Sequence, residues 1–256
     1  MSNRTFVDLN ADVGEGCGHD VSLMPLISSA NIACGLHAGD DGTMREAVRL
    51  ARDHNVAVGA HPSFPDREHF GRREMQLSAE DLQECIVAQV RTLADVAAAA
   101  GARVRHVKPH GALYNMAARD ETLAEAVVAA IARVDPSLAV FGLAGSALVK
   151  AALRIGLQSV SEAFADRAYR ADGSLLPRDQ PGSVLHDTTA VAARAVAMAR
   201  DGSVVAVDGR RIRVQADTIC IHGDTPGAPA LARMIRDSLV SAGIAVAAPP
   251  QPKERR

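Results

Sequence analysis

Seven short apolar runs recur along this chain, and a longer segment with helical spacing follows most of them. The runs are Phe6–Leu9, Ala30–Cys34, Val56–Ala60, Val104–Val107, Leu138–Leu143, Leu157–Val160 and Thr218–Ile221. Their nearly continuous apolar character suits strands buried on both faces of a parallel sheet. Thr43-Met44-Arg45-Glu46 fits a capping box opening a helix to about His54. Ser78 opens a longer helix that stops at Gly101, with Leu82, Ile86, Val90, Leu93 and Val96 at helical spacing. Asp120 or Thr122 caps a helix ending before Pro136; Gly145–Ile155, Asp187–Arg200 and Pro226–Ala242 complete the set. Strand then helix, repeated about seven times, predicts a parallel α/β fold. No composition break divides it, so residues 1–248 read as one domain and 249–256 as a disordered tail. Two segments break the rhythm. Between Glu162 and Asp187 lies a long Asp-, Arg-, Gly- and Pro-rich loop, and such loops are usually functional. Val207-Asp208-Gly209-Arg210 is a hairpin signal, which predicts a small antiparallel ribbon before the last strand.

Most of the apolar runs end in acids, histidines or lysine. The first leads into Asp8, Asn10 and Asp12, which share one face of a strand. The others lead to His37 and Asp40, to His61, to Lys108 and His110, to Glu162 with Asp166 and Arg167, and to His222 and Asp224. In parallel α/β folds the C-terminal strand ends converge on one mouth, where active sites are built. Each residue taken singly has a plainer reading. A histidine at a strand end is more often structural, and Asp40 and Asp224 read as helix N-caps. The clustering decides: four of the nine histidines fall at such positions. His54, His69, His106 and His186 do not, and read as surface or structural residues.

Two chemistries fit the group. Asp12, His37 and His61 form a carboxylate–imidazole set suited to a divalent metal, which would activate water for attack on an amide. Without metal, a carboxylate could act as general base while Lys108 and His110 stabilise an oxyanion. Spacing does not choose between them. Nucleophilic catalysis is disfavoured: GxSxG is absent, and Cys34 and Cys220 sit in apolar runs where thiols are inert. GxxxxGK[ST] and GxGxxG are absent as well. Gly14-Glu15-Gly16-Cys17-Gly18 reads either as a flexible loop over the pocket or as a simple turn.

Charge and composition exclude other classes. A net charge of −2, 3% aromatics and no Trp leave neither a basic footprint nor stacking platforms for nucleic acid. No apolar run approaches the roughly 18 residues that cross a bilayer. The start lacks a signal-peptide pattern, and the four cysteines form no CxxC pair. A cytoplasmic protein is expected.

Longer strings carry a resemblance. Asp8-Leu-Asn-Ala-Asp-Val-Gly-Glu15, Ala30-Asn-Ile-Ala-Cys-Gly-Leu-His-Ala-Gly-Asp40, Gly59-Ala-His-Pro62, Phe70-Gly-Arg-Arg73, Val107-Lys-Pro-His-Gly-Ala-Leu-Tyr-Asn115, Phe164-Ala-Asp-Arg-Ala-Tyr169 and Ile219-Cys-Ile-His-Gly-Asp-Thr-Pro226 resemble the LamB/YcsF family. The resemblance runs in order from about residue 5 to 246. It departs at Ala11, where Cys is common, at Leu36 and Asp41, and in a shorter loop between Gly18 and Leu23. It implies a seven-stranded parallel (β/α) barrel of the glycoside hydrolase/deacetylase type. It also implies the A component of an ATP-dependent 5-oxoprolinase, which opens 5-oxo-L-proline to L-glutamate together with subunits B and C. ATP would be held by this chain or by a partner, with Mg²⁺ or another divalent cation. On that reading Asp12 or Glu15 orients water, His61 and His110 relay protons, and Lys108 and Arg167 hold carboxylate or phosphate. Asn10, His37, Asp40, Glu162 and His222 join Arg167 as substrate-binding candidates. The alternatives are a stand-alone metal-dependent deacetylase or amidohydrolase, and a non-catalytic subunit that only binds.

Overall fold

A computed structural model describes residues 5–178, 180–221 and 227–251. In chain order its main elements begin β1 (Phe6–Val13), α1 (Asp20–Leu23), β2 (Ser29–Ala33), α2 (Asp41–Asp53), β3 (Ala57–His61), α3 (Ala79–Ala99), β4 (Val104–Val107), α4 (Gly111–Arg119) and α5 (Glu121–Val134). They continue with β5 (Ala139–Leu143), α6 (Ala147–Arg154), β6 (Ser159–Phe164), α7 (Thr188–Asp201), β7 (Ser203–Val205), β8 (Arg211–Arg213), β9 (Thr218–Ile221), α8 (Ala228–Ser241) and β10 (Ala245–Val246). The parallel order β1-β2-β3-β4-β5-β6-β9 closes on itself, because β9 pairs with both β6 and β1. This is the expected seven-stranded barrel, and β7–β8 is the expected antiparallel hairpin. No helix among the described residues is long and apolar enough to cross a membrane.

The differences from the sequence reading have local causes. β1 and β6 run past the apolar runs to Val13 and Phe164, because their polar residues face the barrel interior and still complete the ladder. α2 starts at Asp41, not at Thr43. Asp40 is its N-cap, with Thr43 N donating to Asp40 Oδ1 at 2.8 Å and Asp40 N donating to Thr43 Oγ1 at 2.7 Å. α4 is an addition to the helices expected from the sequence, and it starts at Gly111 directly after Pro109 and His110. The two residues of β10 are too few to show a pattern; they pair beside the start of β1 through Phe6↔Ala245. The expected tail is tied down over its first residues: Arg105 Nη2 donates to the Pro249 carbonyl at 3.2 Å and Gln158 Nε2 to that of Pro250 at 3.0 Å. Residues 252–256 lie outside the described ones.

The pleat of β1 separates two interiors. Val7, Leu9, Ala11 and Val13 join the apolar layer beneath the helices. Asp8, Asn10 and Asp12 point into the barrel and build a polar ladder with their neighbours. At its foot the Asp8 carboxylate accepts from Ser28 Oγ (2.6 Å), Ser29 Oγ (2.8 Å) and Thr218 Oγ1 (2.6 Å). One rung higher, Asn10 Nδ2 donates to Thr218 Oγ1 at 2.7 Å and to Glu162 Oε1 at 2.9 Å. Asn31 Nδ2 donates to Asn10 Oδ1 at 2.7 Å and Asp12 Oδ1 at 2.9 Å, while Asn31 Oδ1 takes His106 Nε2 at 2.8 Å. Burial, then Lys108, pulls the His106 imidazole down to about 3, so the ring is neutral. His106 is therefore structural, and it stacks on Phe141 with centroids 4.1 Å apart.

Two measurements check this interior. A Cβ at Gly59 would overlap the His106 ring, so Gly59→Ala must displace it. The expected cost is about 1–3 kcal/mol or more, read as a lower urea midpoint at unchanged slope; an unchanged midpoint contradicts the packing. The second concerns Asp8, whose carboxyl burial pushes up to about 6 from 3.8, against its three hydroxyl donors. Its contribution to stability is then fully present below about pH 4 and is lost as pH rises through about 6. Wild-type stability should fall relative to Asp8→Asn over that window; parallel pH profiles would contradict the shift.

Candidate active site

The ladder ends at Lys108, just past the end of β4. Its Nζ lies 2.9 Å from Asp12 Oδ1, 2.9 Å from Glu162 Oε1, 3.2 Å from Asn10 Oδ1 and 3.1 Å from Cys220 Sγ. Burial opposes the charge on Lys108, but the carboxylates, Asp12 first and then Glu162, outweigh it and hold the ammonium well above its ordinary range. Lys108 is thus a fixed cation and not a proton acceptor. Burial also pushes the Cys220 thiol well up, and Lys108 only partly offsets it, so no thiolate forms there. Tyr114, from α4, stands beside Glu162 and keeps its phenol protonated, first by burial and then by that carboxylate.

Next to this cation lies a cluster of imidazoles. His61 Nδ1 is 2.7 Å from the Lys108 carbonyl, and His110 Nε2 is 2.9 Å from the Phe70 carbonyl. Carbonyl oxygens only accept, so both of these nitrogens carry hydrogen. The remaining pair, His61 Nε2 and His110 Nδ1, face one another at 2.9 Å. In the neutral rings both present lone pairs, and that arrangement calls for a cation between or beside them. Asp12 Oδ2 is 3.4 Å from His61 Nε2; Glu15 Oε1 is 3.5 Å from His110 Nδ1 and 3.3 Å from His37 Nε2. His37 stacks flat on His110 with centroids 3.8 Å apart. Burial, reinforced by His110 and His61, drives His37 far below the usual imidazole range; burial and His61 take His110 down to about 3. Protons are disfavoured where lone pairs converge. One donor atom from each of Glu15, His37, His61 and His110 lies within 4.8 Å of the others, a set that fits a divalent metal.

Two loops hold this geometry. Residues 66–73 present the Phe70 carbonyl, with Phe70 in the left-handed region at φ 56°. Asp66 braces that loop, accepting from Arg73 N at 3.0 Å and pairing with His69 Nδ1 at 2.8 Å. The glycine loop after β1 carries Glu15, and its first amide, Gly14 N, donates to Asp20 Oδ2 at 2.8 Å.

Above the cluster opens a cavity of about 610 Å³. Asp12, Glu15, His61, Lys108 and His110 line its floor, and Arg167 lines a wall formed by the long loop after β6. Asn10 and Glu162 lie one layer below, bonded to each other, and Glu162 pairs with Lys108. His37 backs Glu15 and His110. Asp40 is a correction: it is exposed and engaged as the cap of α2, away from the lining. The metal set is also regrouped. Asp12 Oδ1 is taken by Lys108 and Asn31, and Glu15 and His110 join His37 and His61 in its place. His222 lies outside the described residues. Sequence reasoning missed Asn31, Tyr114, Phe70 and Asp66. Asn31 left a signal as a polar residue inside an apolar run, and Phe70 and Tyr114 lay in strings that carry the family resemblance; Asp66 left none.

Comparisons with known proteins agree with this architecture. A lactam utilization protein from Thermus thermophilus superposes with a TM-score of 0.90 at 48% identity, covering 94% of this chain and 99% of that one. An Enterococcus faecalis protein provisionally named for cellobiose-phosphate cleavage gives 0.56 at 14% identity, covering 96% and 97%. That likeness speaks for the fold alone. The LamB/YcsF family model matches residues 7–254.

Replacing Lys108 by Met would leave the Asp12 and Glu162 carboxylates buried without their cation. The expected loss of unfolding free energy is about 3–5 kcal/mol, measured by chemical denaturation. A variant as stable as wild type would show that the three charges do not depend on one another.

Proposed function

The chain belongs to the LamB/YcsF family, and on that footing we propose that it serves in lactam utilization, hydrolysing the ring amide of 5-oxo-L-proline to L-glutamate. The observation that carries this reading is the cavity floor, where a fixed ammonium, two carboxylates and two facing imidazoles surround one space. The 48% identity to a lactam utilization protein supports the substrate class.

Each floor residue has a defined task. Lys108 keeps a positive charge beside the reacting carbonyl without exchanging protons. Asp12 or Glu15 accepts a hydrogen bond from the attacking water and orients it. The proton that the attacking water gives up at Asp12 or Glu15 passes through the facing His61–His110 nitrogens to the ring nitrogen as it leaves. A divalent cation held by Glu15, His37, His61 and His110 would take those same nitrogens in place of the relay and would supply Lewis-acid polarisation of the amide, leaving the proton to Asp12. Five-membered lactams resist hydrolysis at neutral pH. Transfer of the terminal phosphoryl group of ATP to the amide oxygen makes the ring carbon a better electrophile. The reaction then releases ADP and phosphate. We place that step in a cytoplasmic complex with subunits B and C, ATP being held by this chain or by a partner.

A second reading follows from the four-donor cluster, namely an amidohydrolase that works alone with its metal. Glutamate release from 5-oxo-L-proline with Mg²⁺ and ATP separates the two. Release only in the three-component mixture, lost when this chain is omitted, supports the first. ATP-independent release by this chain with stoichiometric metal supports the second, and no release under either condition contradicts both. In the active mixture His110→Ala should lower turnover by about 10²-fold or more. Full activity in that variant would remove His110 from the proton path.

A further inference from the structure

The cavity has two ends of unlike charge. On the floor, Lys108 is balanced by Asp12 and Glu162, and Glu15 adds a further carboxylate. The wall above β5 and β6 is different. These strands are neighbours, with Leu143 opposite Glu162, so the segments leaving them meet on one side of the mouth. From β6 comes Arg167, only 6% exposed and part of the cavity lining. Its Nε donates to the Ser183 carbonyl at 3.2 Å and its Nη2 to the Leu176 carbonyl at 2.6 Å. Neutral carbonyls fix the guanidinium in place but do not balance its charge. Arg178 lines the same cavity, close enough to act on Arg167 as a like charge, and Asp166 offsets only part of it. From β5 comes the start of α6, where Gly145 and Ser146 also line the cavity. Ser146 Oγ accepts from Val149 N at 3.3 Å. The positive end of the helix is thus on this wall.

A rigid buried guanidinium, a second arginine and a helix N-terminus converging on one wall form a built anion site. We propose that this β5–β6 wall is an anion subsite, taking a phosphoryl or carboxylate group of the ligand whose amide lies on the His61–His110 floor. The proposal rests on the reading of that floor as an amide-hydrolysing site. The volume bears on the occupant: about 610 Å³ is far more than a five-membered lactam fills and lies within the roughly 300–1,000 Å³ of pockets for larger ligands. A phosphoryl group carried with the lactam, or beside it, has room.

Binding alone tests this, without turnover. Inorganic phosphate and 5-oxo-L-proline are each titrated calorimetrically into wild type, Arg178→Gln and Arg167→Lys. Arg178 is exposed, so its variant is expected to fold; Arg167→Lys keeps the charge but loses the planar fork. Weakening of phosphate binding by about tenfold or more in the variants identifies a phosphoryl occupant. Weakening confined to 5-oxo-L-proline identifies its carboxylate as the occupant. Both ligands binding to the folded variants as they bind to wild type would overturn the subsite, as would failure of both ligands to bind wild type. An inactive protein that still loses phosphate affinity in Arg178→Gln keeps the subsite and loses only the catalytic reading.

Discussion

The contact of Lys108 with Asp12 and Glu162 governs the rest of the structure. Seven strands closed on themselves leave an interior without bulk water, and three charges stand inside it within 2.9 Å contacts. Any one of them alone would be strongly destabilising there. Their mutual attraction requires that β1, β4 and β6 reach the same height in the barrel, which fixes the relative register of three strands. The ladder below continues the same logic. Asn10 orders Glu162, Asn31 orders Asn10 and Asp12, and His106 orders Asn31. Gly59 is the concession that lets His106 enter. The polar column is thus both a scaffold and the support of the cavity floor.

Because Lys108 is held by its side chain, its backbone carbonyl is also held, and that carbonyl sets the tautomer of His61. A second carbonyl, from Phe70, sets His110 through a loop braced by Asp66. Two separate supports therefore aim two lone pairs at each other. This is a preorganised arrangement, since nothing in it has to turn for a cation or a reacting group to be met. The opposite wall is organised by other means. Arg167 is clamped by carbonyls of its own loop, while α6 delivers its positive end from the neighbouring strand.

Much of this was legible in the chain. The alternation of apolar runs and helices predicted a parallel α/β fold, the family resemblance implied its closure into a barrel, and period-two spacing placed Asp8, Asn10 and Asp12 on one face. The hairpin followed from its turn residues. The polar barrel interior was not legible, because Asn31, Thr218 and His106 sit inside runs that read as strand cores. Nor was the donor set. Strand-end position favoured Asp12, whereas the glycine loop folds Glu15 back over His37, a relation that depends on three dimensions. Asp40 shows the reverse: its local sequence suits a cap, and the cap is what the structure holds. The long loop between Glu162 and Asp187 announced itself by composition, but only the fold shows that Arg167 and Arg178 share one wall.

The account centres on the facing His61 and His110 nitrogens as the place where the amide is handled. The most direct test is a crystal structure with 5-oxo-L-proline bound. The account predicts the ring amide within about 2.6–3.2 Å of the His61–His110 pair, directly or through one water. A lactam bound away from the floor, or with its amide turned to the arginines, would contradict it.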